Sequence, residues 1–515
     1  MKKYKKSLKV ELVTDQRTVT GSANLLKIRN SGEEEYLILI DYGINSSQSL
    51  FDEINSKVNF DVTELRSVFL THVHADHVAK VPLLYRNGYK GKTFATKESS
   101  ILIEDILRDN LKIMLEEAKK KGVSPIYGEE DINTVLKNIQ VIEYKRKNVL
   151  KISEDLVIEY VVYRNNHILG ASSIFLSIRR NIEKIDLLFS GDWNNKCNIL
   201  KKENHVIKKA INSKKINIIL ESTYGSNINK IEKPNFETIL LDEMKKGKKI
   251  FVAVNSLHKS SEVLSRIKDL QEQNENLFKD YSIYLDGKLT NKLNNIYMGI
   301  LKKNFMPLGI KSILEKSERF EAIEATKTII ISSSGMMTNG PIKKYLSEFI
   351  EDENSTFIIC SYCAEGTVGR YLLENFKRRE KKVELFGKKF KLKASILQAK
   401  NISSHGTGGE MIEEIIKKIP KENISSILLN HGEDEIREKL KKMIIFKTGL
   451  SEEKIFLYDS KRKFIFDKNG LKKVIELSNY NGVKKEMKDK KERCETHRRV
   501  SHRIKWFLIS KEISK

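Results

Sequence analysis

Four side chains able to bind a metal fall within six residues: His72, His74, Asp76 and His77, in the stretch Thr71-His-Val-His-Ala-Asp-His77. Neutral imidazole and carboxylate suit zinc and similar borderline ions. A single histidine is usually an ordinary surface or core residue. Here, however, three of the chain's ten histidines gather with an aspartate among them. His72 and His74 stand two apart and cannot share one face of a regular helix. A tight loop can aim both at one point while Asp76 and His77 turn toward a neighbouring one. Four ligands so close, with more arriving from elsewhere, suggest two adjacent ions.

Such a loop needs a rigid element before it. The apolar run 68–70 reads as the end of a buried strand. A second apolar strand, 36–40, ends in Asp41-Tyr-Gly43, where an aspartate reads first as a turn residue. The spacing predicts a helix over 98–121 with Gly122 as its stop. Strands are expected over 156–163, 173–178, 185–189 and 216–220, and later over 424–429 and 455–458, with a helix over 409–419. His167 falls in a turn between strands and Asp192 directly follows one. Taken singly, each is an ordinary turn residue. Together, His72, Asp192, Glu221 and His431 each stand at the carboxyl end of an apolar strand, the rim on which α/β folds build sites. From about 227 to 395 strand and helix patterns alternate, which argues a parallel α/β domain. Two of its turns, Ser332-Ser-Ser-Gly335 and Gly366-Thr-Val-Gly-Arg370, offer hydroxyls, backbone N–H groups and a guanidinium to phosphate. A Gly-rich turn alone is more often an ordinary βα turn.

A chain of 515 residues is expected to hold two or more domains. Its net charge of +25 points toward a polyanion and away from acidic proteins or neutral metabolites, unless the lysines serve solubility alone. Cys197, Cys360, Cys363 and Cys494 are scattered. The single CxxC has no second pair, so a zinc ribbon is not expected, and reduced thiols in a cytoplasmic protein are. No apolar run approaches a membrane span.

Thr71-His-Val-His-Ala-Asp-His77 resembles the HxHxDH signature of metallo-β-lactamase-fold hydrolases. Glu221-Ser-Thr-Tyr-Gly225 resembles the ESTYG motif of their β-CASP nuclease branch. The likeness runs over residues 10–460 with the metal-site motifs in order. It implies an α/β fold, a metallo-β-lactamase αββα sandwich with an inserted parallel α/β β-CASP cap. The expected domains are 1–226 and 396–465 for the two parts of the core, 227–395 for the cap, and 466–515 for a basic C-terminal extension. Residues 483–515 carry twelve Lys or Arg against five acidic residues. That tail leaves three readings open: a solvated basic helix, an RNA-contacting arm, or an oligomer contact such as a homodimer's.

The resemblance also implies two zinc ions, with manganese as the alternative metal. His72, His74, His167 and Asp192 would hold the first, and Asp76, His77, His431 and the bridging Asp192 the second. Asp76 is carried over as catalytic too. Asp41, in an LxDxG-like pattern, would orient the site by hydrogen bonding. His405, in Ser403-Ser-His-Gly406, resembles the histidine of SxHxD and would protonate or hydrogen-bond the leaving oxygen, with Glu221 orienting it. The aspartate usual after that histidine is replaced by Thr407 and Gly408. Ser333, Ser334 and Arg370 match substrate-contacting turns. His258-Lys259 replaces the family's Gly-Arg. Lys259 would keep the charge, and His258 is expected in the substrate groove or at the surface.

The activity so implied is zinc-dependent hydrolysis of RNA phosphodiester bonds by a two-metal mechanism, in RNA processing or decay. His431 favours RNA, because DNA-directed relatives typically carry Val there. Three alternatives stay open. One is a DNA-directed β-CASP nuclease. Another is a small-ester or thioester hydrolase on the same core, which the cap and the charge oppose. The last is an inactive RNA-binding subunit, which the complete ligand set opposes.

Overall fold

The protein is described by a computed structural model covering residues 7–14, 19–29, 35–200, 208–227, 235–363, 366–399 and 401–477. The basic tail 483–515 lies outside the described residues.

Two sheets pack face to face. The first has eight strands, ordered in space Gly470–Glu476, Arg462–Asp467, Lys9–Thr14, Asn24–Arg29, Glu35–Ile40, Leu65–Phe69, Lys92–Thr96, Ile139–Ile142. The second has seven: Ile455–Leu457, Ile424–Asn430, Ile216–Glu221, Glu183–Phe189, Ser172–Arg180, Leu156–Arg164, Asn148–Lys151. Their period-2 alternation sends Leu12, Ile38 and Phe69 of one sheet against Ile158, Leu187 and Leu428 of the other in one dry layer. Helices cover the outer faces. Lys97–Lys121 starts at a Thr96 cap whose hydroxyl accepts the Ser99 N–H at 3.3 Å, and it ends at Gly122 with φ +65°. It seats Leu102, Ile103 and Leu107 with Val68 and Ala95 of the first sheet. Asp434–Thr448 seats Leu440 and Ile444 with Ile218 and Leu429 of the second. The result is the expected αββα sandwich.

The cap is a third sheet. Its six strands all run parallel, in the order Lys311–Ile313, Ser282–Asp286, Thr328–Ser332, Lys249–Ala253, Ser355–Ile359, Ser395–Gln398. Thr328–Ser332 and Ser355–Ile359 are buried along their whole length, as strands covered on both faces must be. A separate two-stranded hairpin, Lys382–Leu385 with Lys388–Lys391, flanks this sheet.

Both later boundaries move. Ser395–Gln398 belongs to the cap sheet through its pairing with Ser355–Ile359, so the cap extends past 395. Arg462–Asp467 pairs with Lys9–Thr14, and Gly470–Glu476 pairs with Arg462–Asp467, so the core extends past 465. Phe464 and Phe466 alternate into the core between exposed or half-exposed neighbours, a two-residue pattern masked by the surrounding lysines. The helix expected over 409–419 is one α turn, Gly408–Met411, widening into a π-helical stretch, Ile412–Ile416. The wider turn lets Met411, Ile412, Ile415 and Ile416 all reach the core.

Candidate metal centre and cleft

Parallel pairing aligns the strand ends that carry the site. Glu183–Phe189, Ile216–Glu221 and Ile424–Asn430 run side by side in one sheet, and Glu35–Ile40, Leu65–Phe69 and Lys92–Thr96 in the other. Asp192, Glu221, His431, Asp41 and the 72–77 loop therefore leave the two sheets along one edge. Backbone hydrogen bonds fix that loop. Ser22 N–H donates to Asp76 O at 2.8 Å, Tyr42 N–H to His77 O at 2.7 Å, and Ile44 N–H to Ala75 O at 3.1 Å. The approach is so close that a Cβ on Gly43 would sit 1.8 Å from the Asp76 carbonyl oxygen. Only glycine fits there.

Asp41 adopts φ +60°, unusual for a residue with a Cβ. Its Oδ1 accepts the Thr71 N–H at 2.7 Å, and its Oδ2 accepts the Thr71 hydroxyl at 2.7 Å and faces His77 Nδ1 at 2.8 Å. With its proton given to Asp41, Thr71 Oγ1 accepts from His72 Nδ1 at 3.0 Å. His167 Nδ1 donates to the Ser404 carbonyl at 2.8 Å. Thr223 Oγ1 donates to His431 O at 3.1 Å and accepts from His431 Nδ1 at 3.0 Å. Four imidazoles are thus held with Nδ1 protonated and a bare Nε2 lone pair turned inward.

Those inward nitrogens converge. His72 Nε2 and His167 Nε2 each lie 3.0 Å from His74 Nδ1, and His77 Nε2 lies 3.1 Å from His431 Nε2. Asp192 spans both groups. Its Oδ2 is 3.7 Å from His72 Nε2, 3.6 Å from His167 Nε2 and 3.4 Å from His77 Nε2, while its Oδ1 is 3.5 Å from His431 Nε2. Asp76 Oδ2 lies 3.5 Å from His431 Nε2. Ligands about 2.0–2.1 Å from one tetrahedral ion stand roughly 3.3 Å from one another. The donor set and its spacing fit two divalent cations sharing Asp192, with His72, His74, His167 on one side and Asp76, His77, His431 on the other. Burial, with neighbouring imidazoles adding to it, holds His72 and His167 well below the usual histidine range, and burial brings His74 down to about 4. These three present neutral nitrogens. Burial opposes charge on His77 as well, but Asp192, Asp41 and Asp76 outweigh it and raise its pKa. The carboxylates there call for positive charge.

His405 and Glu221 also meet. His405 Nδ1 lies 3.0 and 3.1 Å from the two Glu221 oxygens, and its Nε2 lies 3.9 Å from Asp192 Oδ2. Burial works against the imidazolium, yet Glu221 and Asp192 raise its pKa. In place of the usual aspartate, Thr407 forms a capping box with Glu410 and starts the next helical turn. His405 borders a cleft of about 330 Å³ between core and cap, lined also by Tyr224, Tyr362, Arg370, Glu374 and Lys377. Tyr362 reaches across it to donate to Glu433 at 2.6 Å.

Other expected contacts fall differently. Arg370 lines the cleft, half-turned to Glu374 at 2.6 Å. Ser333 and Ser334 stand in the adjoining turn, where Ser334 Oγ donates to Asn339 O at 3.1 Å, and neither lines the cleft. His258 is neither at the surface nor in the groove. It is buried beside Cys197 Sγ at 3.7 Å, and burial lowers its pKa to about 3. The helix it opens, Lys259–Gln273, docks on the core through Glu262, which accepts the Cys197 thiol at 2.7 Å and the Asn198 N–H at 2.9 Å. Lys259 is buried too and donates to Ile402 O, ahead of the His405 loop. Thr71 and Thr223, which fix three of the imidazoles' environments, escaped the sequence reading. Thr71 lies inside the histidine motif itself, and Thr223 inside Glu221-Ser-Thr-Tyr-Gly225.

Comparison with known proteins agrees with this architecture. The family described as "Beta-Casp domain" matches residues 260–372, and the one described as "Anti-Pycsar protein Apyc1" matches residues 22–220. An RNase J-like protein of Methanocaldococcus jannaschii is 26% identical over 414 residues, covering 77% of this chain and 87% of that protein. Ribonuclease TTHA0252 of Thermus thermophilus is 24% identical over 454 residues, covering 84% and 94%. Transcription termination factor FttA of M. jannaschii is 26% identical over 428 residues, covering 77% of this chain and 63% of the factor. With its αββα core and inserted parallel cap, the chain has the architecture of β-CASP proteins of the metallo-β-lactamase fold and is similar to these relatives along most of its length.

Proposed function

We propose that the protein is a metal-dependent ribonuclease that cleaves RNA phosphodiester bonds with two zinc ions. The observation that carries this reading is the shared Asp192, whose carboxylate lies 3.4–3.7 Å from imidazoles of both groups, beside His405 and the cleft holding Arg370 and Lys377. Relatives named as ribonucleases support RNA as substrate and partner, and so does a histidine at position 431. A cytoplasmic site of action belongs to the same reading; among the described residues no helix is long and apolar enough to cross a membrane.

When bound, the two cations supply charge neutralisation at the scissile phosphate and acidify the attacking water. The chain's own groups do the rest. Asp41, Thr71, Thr223 and the Ser404 carbonyl hold four ligand rings in orientation and tautomer. Asp76 adds a carboxylate on the more open side. His405, kept protonated by Glu221, delivers a proton from Nε2 to the leaving oxygen. Arg370 and Lys377 hold the flanking phosphates.

The test is a time course on end-labelled RNA and a matched DNA strand, before and after chelation and after restoring zinc or manganese. Metal-dependent cleavage of RNA, absent in Asp76→Ala although that variant still binds RNA, is the expected result. The product ladder then separates internal from terminal attack. Inertness toward both strands with zinc demonstrably bound would overturn the reading, and preference for DNA would redirect it.

A further inference from the structure

The cap carries a second concentration of positive charge that the cleft does not use. Residues 378–393 hold eight Lys or Arg against two Glu, and every one of the eight is solvent-exposed. The segment is not an irregular solvated run. It closes the hairpin of Lys382–Leu385 and Lys388–Lys391, in which Lys382 is paired directly with Lys391 and Glu384 with Lys389. Val383 and Leu385 turn inward to the cap core with Phe376 and Phe390. Strand alternation therefore puts Lys382, Lys389 and Lys391 together on the outward face, with Glu384 opposite Lys389 as its one carboxylate.

The Lys382–Lys391 pair on that face is costly as it stands. Like charges directly opposite one another destabilise a pair of strands, and a two-stranded sheet has little stability to spare. Neither Lys382, Lys389 nor Lys391 makes a side-chain ion pair with a carboxylate among the described residues. A bound polyanion would relieve the repulsion.

The hairpin is also connected to the cleft. Helix Val368–Lys377 presents Arg370, Leu373, Glu374 and Lys377 to the cleft, a spacing that makes one helical face. Its other side meets the hairpin, where Glu384 N–H donates to the Tyr371 hydroxyl at 3.3 Å and Phe376 joins the same apolar cluster. At about 1.5 Å per residue the helix bridges roughly 15 Å, the reach of a few nucleotides. Lys377 at its end leads straight into Arg378 and Arg379.

We propose that the outward face of this hairpin, through Lys382, Lys389 and Lys391, is a second contact for the backbone phosphates of an RNA strand whose scissile bond lies in the cleft. The inference rests on the nuclease reading. It makes affinity depend on strand length, because a short oligonucleotide fills the cleft without reaching the hairpin. Sequence plays no part, since phosphate contacts carry none.

The test places K382Q, K389Q and K391Q together in the full-length Asp76→Ala protein and measures affinity for RNAs of about three and about thirty nucleotides across a salt series. The expected result is a tenfold or greater loss of affinity for the long strand and a salt slope shallower by about 2, at about 0.7 per phosphate contact on a single strand. The short strand should bind unchanged, and the melting temperature should not fall, because the Lys382–Lys391 repulsion is removed. Unchanged long-strand affinity overturns the hairpin contact while leaving the nuclease reading intact, provided the unsubstituted protein cleaves RNA. Equal loss for both lengths also overturns it, pointing to a diffuse field. Failure of the unsubstituted protein to cleave or bind RNA of either length removes both proposals.

Discussion

Glu221 Oε1 lies 3.0 Å from His405 Nδ1 and 2.8 Å from the backbone nitrogen of Trp193, the residue after Asp192. Its Oε2 accepts the Thr223 N–H at 3.1 Å. One buried carboxylate is thus tied by backbone donors to the Asp192 loop and to Thr223, whose hydroxyl holds His431, while it holds the one histidine of the centre that borders the cleft. In the proposed mechanism, proton delivery and metal binding share a frame but not a residue.

Removing the proton donor should therefore spare the metal. His405→Ala is expected to slow RNA cleavage by about 10²–10⁴-fold with metal content unchanged by elemental analysis. Glu221→Gln keeps the size and loses the charge that stabilises the imidazolium, and should slow turnover by about 10–100-fold. Loss of metal from His405→Ala would move that histidine into the ligand set.

Gly43 is the tightest backbone approach at the site. Gly43→Ala places a methyl 1.8 Å from the Asp76 carbonyl oxygen, so either the 41–45 turn or the ligand loop must move. The cost is expected to be about 1–3 kcal/mol in thermal or denaturant unfolding, with metal retention reduced at the same time. A variant of parental stability and full metal content would show that the turn yields without disturbing Asp76.

The candidate metal centre is largely legible in the sequence because its residues are local there. His72, His74, Asp76 and His77 share one loop, and Asp192, Glu221 and His431 each follow an apolar strand. Parallel pairing then does the rest. His258 was misplaced because burial depends on what a helix docks against, and no pattern around it announces Glu262 reaching back to Cys197. The last two strands of the core were hidden for a different reason. Lysine-rich composition reads as tail, and only the alternation of Phe464 and Phe466 gives the strand away. Ser333 and Ser334 were expected at phosphate from their motif, but the turn spends Ser334 on Asn339.

Where the core ends can be measured by truncation. A chain ending at 477 keeps Gly470–Glu476, and one ending at 469 loses it, together with the packing of Leu471 and Val474 on the inter-sheet core. The shorter chain should be less stable than the longer by roughly 3 kcal/mol, from the apolar area uncovered. Equal melting temperatures would mean that the strand adds nothing to the sandwich. Any effect of the basic tail on RNA affinity must be read from the 477 chain, because a cut near 466 confounds it with the loss of a strand.

Asp41 offers the sharpest separation of orientation from ligation. Its oxygens touch no inward lone pair. They hold Thr71 by N–H and hydroxyl, and His77 by Nδ1, and Thr71 in turn fixes the tautomer of His72. Asp41→Ala thus frees one ring in each half of the centre while leaving all seven donors in place. Metal affinity, measured by competition with a chromogenic chelator, should fall by about 10–100-fold. Activity should return as zinc is raised, because nothing that binds the ion directly has been removed. Asp192→Ala, which deletes the carboxylate shared by both groups, should not be rescued in that way. If the two variants respond alike to added zinc, Asp41 is itself a ligand, and the hydrogen bond at 2.8 Å to His77 is not what it contributes.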